Sequence, residues 1–322
     1  MFIFKSKGTY MMRRIQFGFI LTILTVLVIG CSSNSENSDI SENRETVTVE
    51  HELGTTEVKK NPEKTVVFDF GVLDTLDALE VDVAGLPQQL IPSYLEKYES
   101  DDYVNVGSLK EPDFEAIAEI NPDLIIISTR QAELYDQFQE IADTVYLGLD
   151  TTRYMDSFKE NVNIIGEIYG KEKEVDEEIA MIDDSIEELH EKAGENGQNA
   201  LIILANDDKV SAYGPNSRFG FIHDEFGILA VDNDIEVSTH GMNVTFEYVV
   251  EQDPDLLYVV DRSAAIGEGS TAEQLVENTL VERTKAYQND NIFYLNPDYW
   301  YLSGGGLVSV TEMIQEIDAS LE

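Results

Sequence analysis

In a chain of 322 residues there is one cysteine, Cys31. No internal disulfide can form, so the fold must rest on an ordinary apolar core. Histidine is nearly as scarce. His51, His190, His223 and His240 lie too far apart in sequence to suggest the converging ligands of a zinc or manganese site. Positive charge is thin throughout: 21 basic residues face 63 acidic ones, a net charge of −42. Four of those bases (Lys5, Lys7, Arg13, Arg14) precede residue 32, leaving 17 for everything after it. Such an imbalance offers no electrostatic footprint for nucleic acid or an anionic lipid face. It fits high solubility or a saline exterior, where self-repulsion is screened. Proline (8) and glycine (21) are too sparse for a disordered or fibrous chain. Also missing are Gly-x-Ser-x-Gly, His-Glu-x-x-His and a phosphate-cradling P-loop, so the common signatures of extracellular hydrolases and nucleotide enzymes are not there.

One long apolar run is present, Phe17 to Gly30, just after the N-terminal bases. It falls short of the about 20 residues that a bilayer-spanning helix needs, and it suits the apolar region of a secretory signal peptide. Val28-Ile29-Gly30-Cys31 resembles a bacterial lipoprotein box, in which the cysteine receives lipid. Residues 1–30 are therefore expected to be cleaved, and Met11 or Met12 would serve as a start as well as Met1. The polar stretch 31–45 has no periodicity and reads as a flexible tether.

Beyond the tether the chain says one thing twice. Phe114, Glu115, Glu119, Pro122, Asp123, Leu124 and Arg130 recur 132 residues later as Phe246, Glu247, Glu251, Pro254, Asp255, Leu256 and Arg262. Each copy predicts a short helix, a Pro-Asp turn, a buried strand and an arginine where that strand ends. Ligands of open α/β sheets bind beyond the carboxyl ends of the strands. Two halves thus each aim a guanidinium at a shared site, which points to a two-lobed binder of something anionic.

The surrounding pattern agrees. Residues 46–155 alternate strands and helices, beginning with a hairpin at Thr46–His51 and Leu53–Val58, and 195–322 do so again from Ala200. Between them, 156–194 carries apolar residues at helical spacing (Phe158, Val162, Ile165, Ile168, then Val175, Ile179, Ile182, Ile186, Leu189), with Gly170 as a point of interruption. The expected fold is α/β: two Rossmann-like βα lobes with mainly parallel sheets, joined by one long helix and closing modestly about it. A single helix is also predicted over 271–288, and Tyr299, Trp300 and Tyr301 form an aromatic loop before Gly304–Gly306 and a last helix.

After residue 32 there are just six arginines: Arg44, Arg130, Arg153, Arg218, Arg262 and Arg283. Arg130, Arg218 and Arg262 fall at predicted strand ends or loops facing the cleft. Arginine offers a permanently charged planar fork that also stacks on aromatic rings.

With the lipobox, the two lobes and the doubled Glu…Pro-Asp-Leu pattern in place, the chain resembles the substrate-binding lipoproteins of bacterial ABC importers for siderophores, haem and cobalamin. The resemblance covers nearly all of the chain after Cys31 and implies the class III periplasmic-binding-protein fold. Within that family, Arg130, Arg218, Arg262, His240 and Tyr301 match the pocket residues of the ferric-catecholate binders of the petrobactin-binding type. Several expectations follow from it. The ligand is an iron(III)-siderophore complex, with no intrinsic cofactor and no catalysis. His240 and Tyr301 would coordinate iron only where a tetradentate siderophore leaves positions free. Glu115 and Glu247, one per lobe, would dock on the permease dimer, which works with a cytoplasmic ATPase. The protein would be a monomer, held by lipid on Cys31 at the outer face of the cell membrane. Haem is the nearest alternative, with His240 and Met242 as axial ligands. Cobalamin favours a less cationic cleft, and a ferric hydroxamate needs fewer arginines.

Overall fold

The computed structural model describes residues 45–267, 269 and 271–322. The signal, lipobox and tether readings at residues 1–44, Cys31 included, lie outside the described residues. The described residues form one compact unit.

Thr and Val alternate in β1 (Thr46–His51), which buries Val47 and Val49 and pairs antiparallel with β2 (Gly54–Lys59). The first lobe follows as β3 (Thr65–Val67), α1 (Phe70–Ala78), β4 (Gly85–Leu86), β5 (Val104–Asn105), α2 (Phe114–Ile120), β6 (Leu124–Ile127), α3 (Tyr135–Gln139) and β7 (Thr144–Tyr146). Its five strands are all parallel, in the order β5-β4-β3-β6-β7. The continuous β-branched run of β6 is buried at every position, as a strand covered on both faces should be.

Two helices then run between the lobes, α4 (Tyr154–Tyr169) and α5 (Glu172–Asn196). Gly170, in the left-handed region at φ 62°, caps the first, so the helical stretch predicted over 156–194 is broken there into two packed helices. At 1.5 Å per residue α5 alone is about 37 Å long, enough to span both lobes.

The second lobe comprises β8 (Asn199–Asn206), β9 (Lys209–Tyr213), α6 (Phe221–Asp224), β10 (Leu229–Ala230), β11 (Met242–Val244), α7 (Phe246–Gln252), β12 (Leu256–Asp261), α8 (Arg262–Ile266), α9 (Ala272–Val276), α10 (Lys285–Gln288), β13 (Ile292–Leu295) and α11 (Leu307–Ala319). The sheet order is β11-β9-β8-β12-β13, with β10 pairing β8 at its start. β8, β12 and β13 are parallel, while β9 and β11 are antiparallel to their neighbours. The single helix expected over 271–288 is instead α9, a 3-10 turn at Val281–Arg283 and α10. Side chains compete with the helix there: Asn278 Oδ1 accepts from the N–H groups of Leu280 and Val281, and Thr284 caps α10.

One apolar layer runs unbroken through both lobes, from Phe70 and Leu73 of α1 through Phe158 and Ile165 of α4 to Trp300, Val310 and Ile317. Each lobe adds a smaller cluster on the outer face of its sheet.

Candidate functional site: a cationic cleft

The repeat is built alike in both lobes. α2 and α7 end at the equivalent residues Asn121 and Asp253, both left-handed (φ 52° and 45°). The Pro-Asp that follows is structural. Asp123 Oδ2 accepts from the N–H groups of Glu63 and Lys64 just ahead of β3, and Asp255 Oδ2 accepts from Asn199 N at the start of β8. The shared Asp thus registers β6 and β12 against their neighbours and delivers both chains to the same edge of their sheets.

A cleft of about 820 Å³ opens there, within the range of small-molecule sites. Arg130, in a 3-10 turn at Thr129–Leu134, reaches it from the first lobe, and Arg262, the first residue of α8, from the second. Arg218 enters from the turn after β9, Tyr301 from a π-helical turn at Asp298–Ser303, and His240 from the loop before β11. All five residues singled out in the sequence therefore line one cleft.

Tyr301 organises the second lobe's side. Its hydroxyl accepts from Arg262 Nε at 2.9 Å, and its carbonyl from Arg218 Nη2 at 3.1 Å. Arg262 Nη1 donates to Asn206 Oδ1 at 2.6 Å. The Arg218 guanidinium also sits over the rings of Tyr301 and Phe219, at 4.7 and 5.1 Å. Burial, and then the neighbouring Arg130 guanidinium, push the pKa of Arg218 down, but a guanidinium starts so far above neutrality that it stays charged. Among the described residues none of these three arginines pairs with a carboxylate, whereas exposed Arg153 binds Glu160 at 2.6 Å and Asp156 at 3.8 Å. Among the described residues the one carboxylate in the cleft wall, Asp69, is engaged as the N-cap of α1.

Two cations were missed in the sequence. Lys110 and Lys209 also line the cleft, and neither has an ion-pair partner among the described residues. Lys209 opens β9 straight after the hairpin turn. Lys110 lies in a loop that Gln131 holds, its Nε2 donating to Leu109 O at 2.6 Å. Nothing in their immediate sequence marks them; only the pairing of β8 with β9 and the 107–112 turn bring them to the cleft.

His240 is exposed and without a hydrogen bond among the described residues. Met242, offered as its axial partner for haem, packs on the outer face of the sheet with Val244 and Ile235 instead, which removes that ligand pair. Among the described residues no three His, Cys, Asp or Glu side chains cluster as metal ligands would. Glu115 and Glu247 are both exposed in the first turns of α2 and α7.

The family model described as periplasmic binding protein matches residues 66–299. The chain belongs to that family. It is 49% identical over 316 residues to the petrobactin-binding protein YclQ of Bacillus subtilis, covering 97% of this chain and 100% of that one. The crystal structure of YclQ superposes with a TM-score of 0.85 at 52% identity, over 87% of this chain and 99% of that one. The catecholate-siderophore binding protein VctP of Vibrio cholerae gives a TM-score of 0.82 at 32% identity, over 85% and 100% of the two chains. Ferric-anguibactin-binding protein FatB of Vibrio anguillarum is 29% identical over 91% of this chain and 93% of its own. The family consists of solute-binding proteins, and its two-lobed α/β architecture is the one described above.

Proposed function

We propose that this chain is the receptor of a bacterial ABC importer and binds a ferric catecholate siderophore in its inter-lobe cleft. The observation that carries this reading is the convergence of Arg130, Arg218 and Arg262 on one cleft, none paired with a carboxylate among the described residues. Iron(III) held by three catecholates has a net charge of about −3 spread over planar oxygens and rings, and guanidinium groups match it in charge, donors and stacking. The relatives named for petrobactin and for catecholates support the same class of ligand.

The iron arrives as cargo inside the siderophore. Arg218 and Arg262, already fixed by Tyr301, present donors to one side of the complex, and Arg130 folds onto it from the other lobe. His240 and Tyr301 reach the metal only where a tetradentate siderophore leaves coordination sites open. The loaded protein then offers Glu115 and Glu247 to basic pockets of the permease, while lipid on Cys31 keeps it at the outer membrane face. It acts as a monomer and catalyses nothing.

Fluorescence of Trp300 and the tyrosines tests the ligand class by titration with ferric catecholate, ferric hydroxamate and haem. Tight quenching by the ferric catecholate alone is expected. Preference for haem or hydroxamate would overturn the assignment.

A further inference from the structure

The turn that carries Tyr301 is fastened to the opposite lobe from the arginines it holds. Asp74 of α1 is fully buried, with no cation among its partners. Its Oδ1 accepts from Val308 N and its Oδ2 from Ser309 N, both at 2.8 Å, so a first-lobe carboxylate caps α11 across more than 230 residues of chain. The hydroxyl of Tyr94 donates to Asp74 Oδ2 at 2.8 Å and meets Ser303 Oγ at 2.7 Å. Ser303 Oγ also lies 2.7 Å from Asp298 O; with the Tyr94 proton on Asp74, its single proton serves one of these two contacts, to Tyr94 or to the turn's own first residue. At the turn's other end Asp298 Oδ2 accepts from Ser93 N at 2.9 Å. Gly71 and Gly306 leave no room for a Cβ here, one against the backbone of residues 303–306 and the other against the Asp74 carboxylate.

Burial pushes the Asp74 carboxyl up to about 6, while the N–H groups of α11 and the Tyr94 hydroxyl draw it back down. Its charge is felt by the tyrosines around it, Tyr94, Tyr154 and Tyr299. The N–H groups of Val308 and Ser309 and the Tyr94 hydroxyl all reach this carboxylate as donors. An amide in its place would turn an NH₂ toward one of them and lose that bond.

We propose that Asp74 is a positioning residue for the cleft: it fixes the 298–303 turn, and through Tyr301 that turn orients Arg218 and Arg262. The consequence for binding rests on the ferric-catecholate reading, whereas the consequence for the turn does not. One lobe thus sets the arginine geometry of the other before ligand arrives.

The test compares wild type, Asp74→Asn, Tyr301→Ala and the double variant by calorimetric titration with a ferric catecholate, and follows backbone hydrogen exchange of residues 298–306 without ligand. Asp74→Asn is expected to weaken binding ~10-fold, and its effect to shrink below ~2-fold when Tyr301 is already alanine, because partners in one network are not additive. Exchange in 298–306 should quicken in Asp74→Asn while β6 and β12 stay protected. Unchanged affinity, an equal loss in both backgrounds, or unchanged exchange would each overturn the proposal. Should Asp74→Asn fail to fold, Tyr94→Phe removes one bond and keeps the ring, with a loss of ~3-fold expected under the same comparison. If wild type binds no ferric catecholate, the ligand assignment fails alone, and the exchange result still decides the role of Asp74.

Discussion

Arg130 and Arg262 occupy the same place in a repeated segment, yet the two lobes hold them differently. Arg262 is half-buried, with Nε on the Tyr301 hydroxyl and Nη1 on Asn206. Arg130 is exposed and its side chain has no hydrogen-bond partner among the described residues. The shared scaffold extends to the left-handed helix cap and the strand-registering Asp; what differs is the side-chain surround. An oriented guanidinium meets its ligand with its conformational entropy already spent, whereas a free one loses about 0.5–1.5 kcal/mol on being immobilised. On the proposed reading, the second lobe would offer the anion a preset template and the first lobe an unrestrained clasp.

The sharpest way to break this comparison is to remove the fixed member. Arg262→Ala deletes a charge-assisted contact and leaves Tyr301 and Asn206 without their donor, a loss of about 1.5–3 kcal/mol or ~10–100-fold in affinity for a ferric catecholate. Arg218→Ala should fall in the same range. Calorimetric titration measures both, and near-wild-type affinity in either would show that the template lies elsewhere.

Tyr301→Phe is expected to cost less, ~5-fold. It keeps the ring beneath Arg218 and the backbone carbonyl that Arg218 uses, but it frees Arg262 Nε. The lobes then become more alike, Arg262 keeping only its bond to Asn206. A loss confined to the dissociation rate is expected, since rearrangements within one interface act chiefly there; stopped-flow kinetics would show it, and an unaltered dissociation rate would argue against restraint by Tyr301.

Arg130 is predicted to matter least of the three. Arg130→Ala should weaken binding by only ~3–10-fold, because part of what the contact contributes is lost in ordering the side chain. Lysine should serve nearly as well at 130, where no geometry is preset, but poorly at 262, where the fork is held by two partners. Equal tolerance of lysine at both positions would dissolve the distinction between template and clasp.

Much of this was legible in the sequence because it rests on local chemistry. The Pro-Asp turn, the β-branched strand and the terminal arginine are read from neighbouring residues, and a duplicated position implies a duplicated placement. Arg218 could be singled out because arginine is rare after residue 32. What stayed hidden depends on contacts distant along the chain. Lys110 and Lys209 reach the cleft only through a hairpin and a loop held by Gln131. Tyr301 was marked as a pocket residue, but its hold on two arginines needs β12, the β9 turn and residues 298–303 in place together. The helix breaks at Gly170 and at 271–288 arise where capping side chains or a left-handed residue win over apolar periodicity that continues past them.

Glu115 and Glu247 should leave affinity untouched, which makes them the smallest effect on binding and a separate probe of the two lobes. Both are exposed in a helix's first turn, away from the cleft lining, where a carboxylate also sits favourably on the helix dipole. Their surroundings differ again between lobes. The N-cap of α2 is Asp113, whose carboxylate takes the N–H groups of Glu115 and Ala116, so two negative groups stand side by side. In α7 the N-cap is Thr245, whose hydroxyl holds the Glu247 carboxyl below its ordinary pKa. Glu247 thus lacks the second carboxylate that the N-cap Asp113 sets beside Glu115. Replacing Glu247 with Gln should reduce stimulation of the permease ATPase more than the same change at Glu115, where Asp113 still supplies a negative group to a basic partner. Reconstitution with the permease in vesicles measures this directly. A change in siderophore affinity in either variant, or equal stimulation by both variants and wild type, would detach these residues from docking.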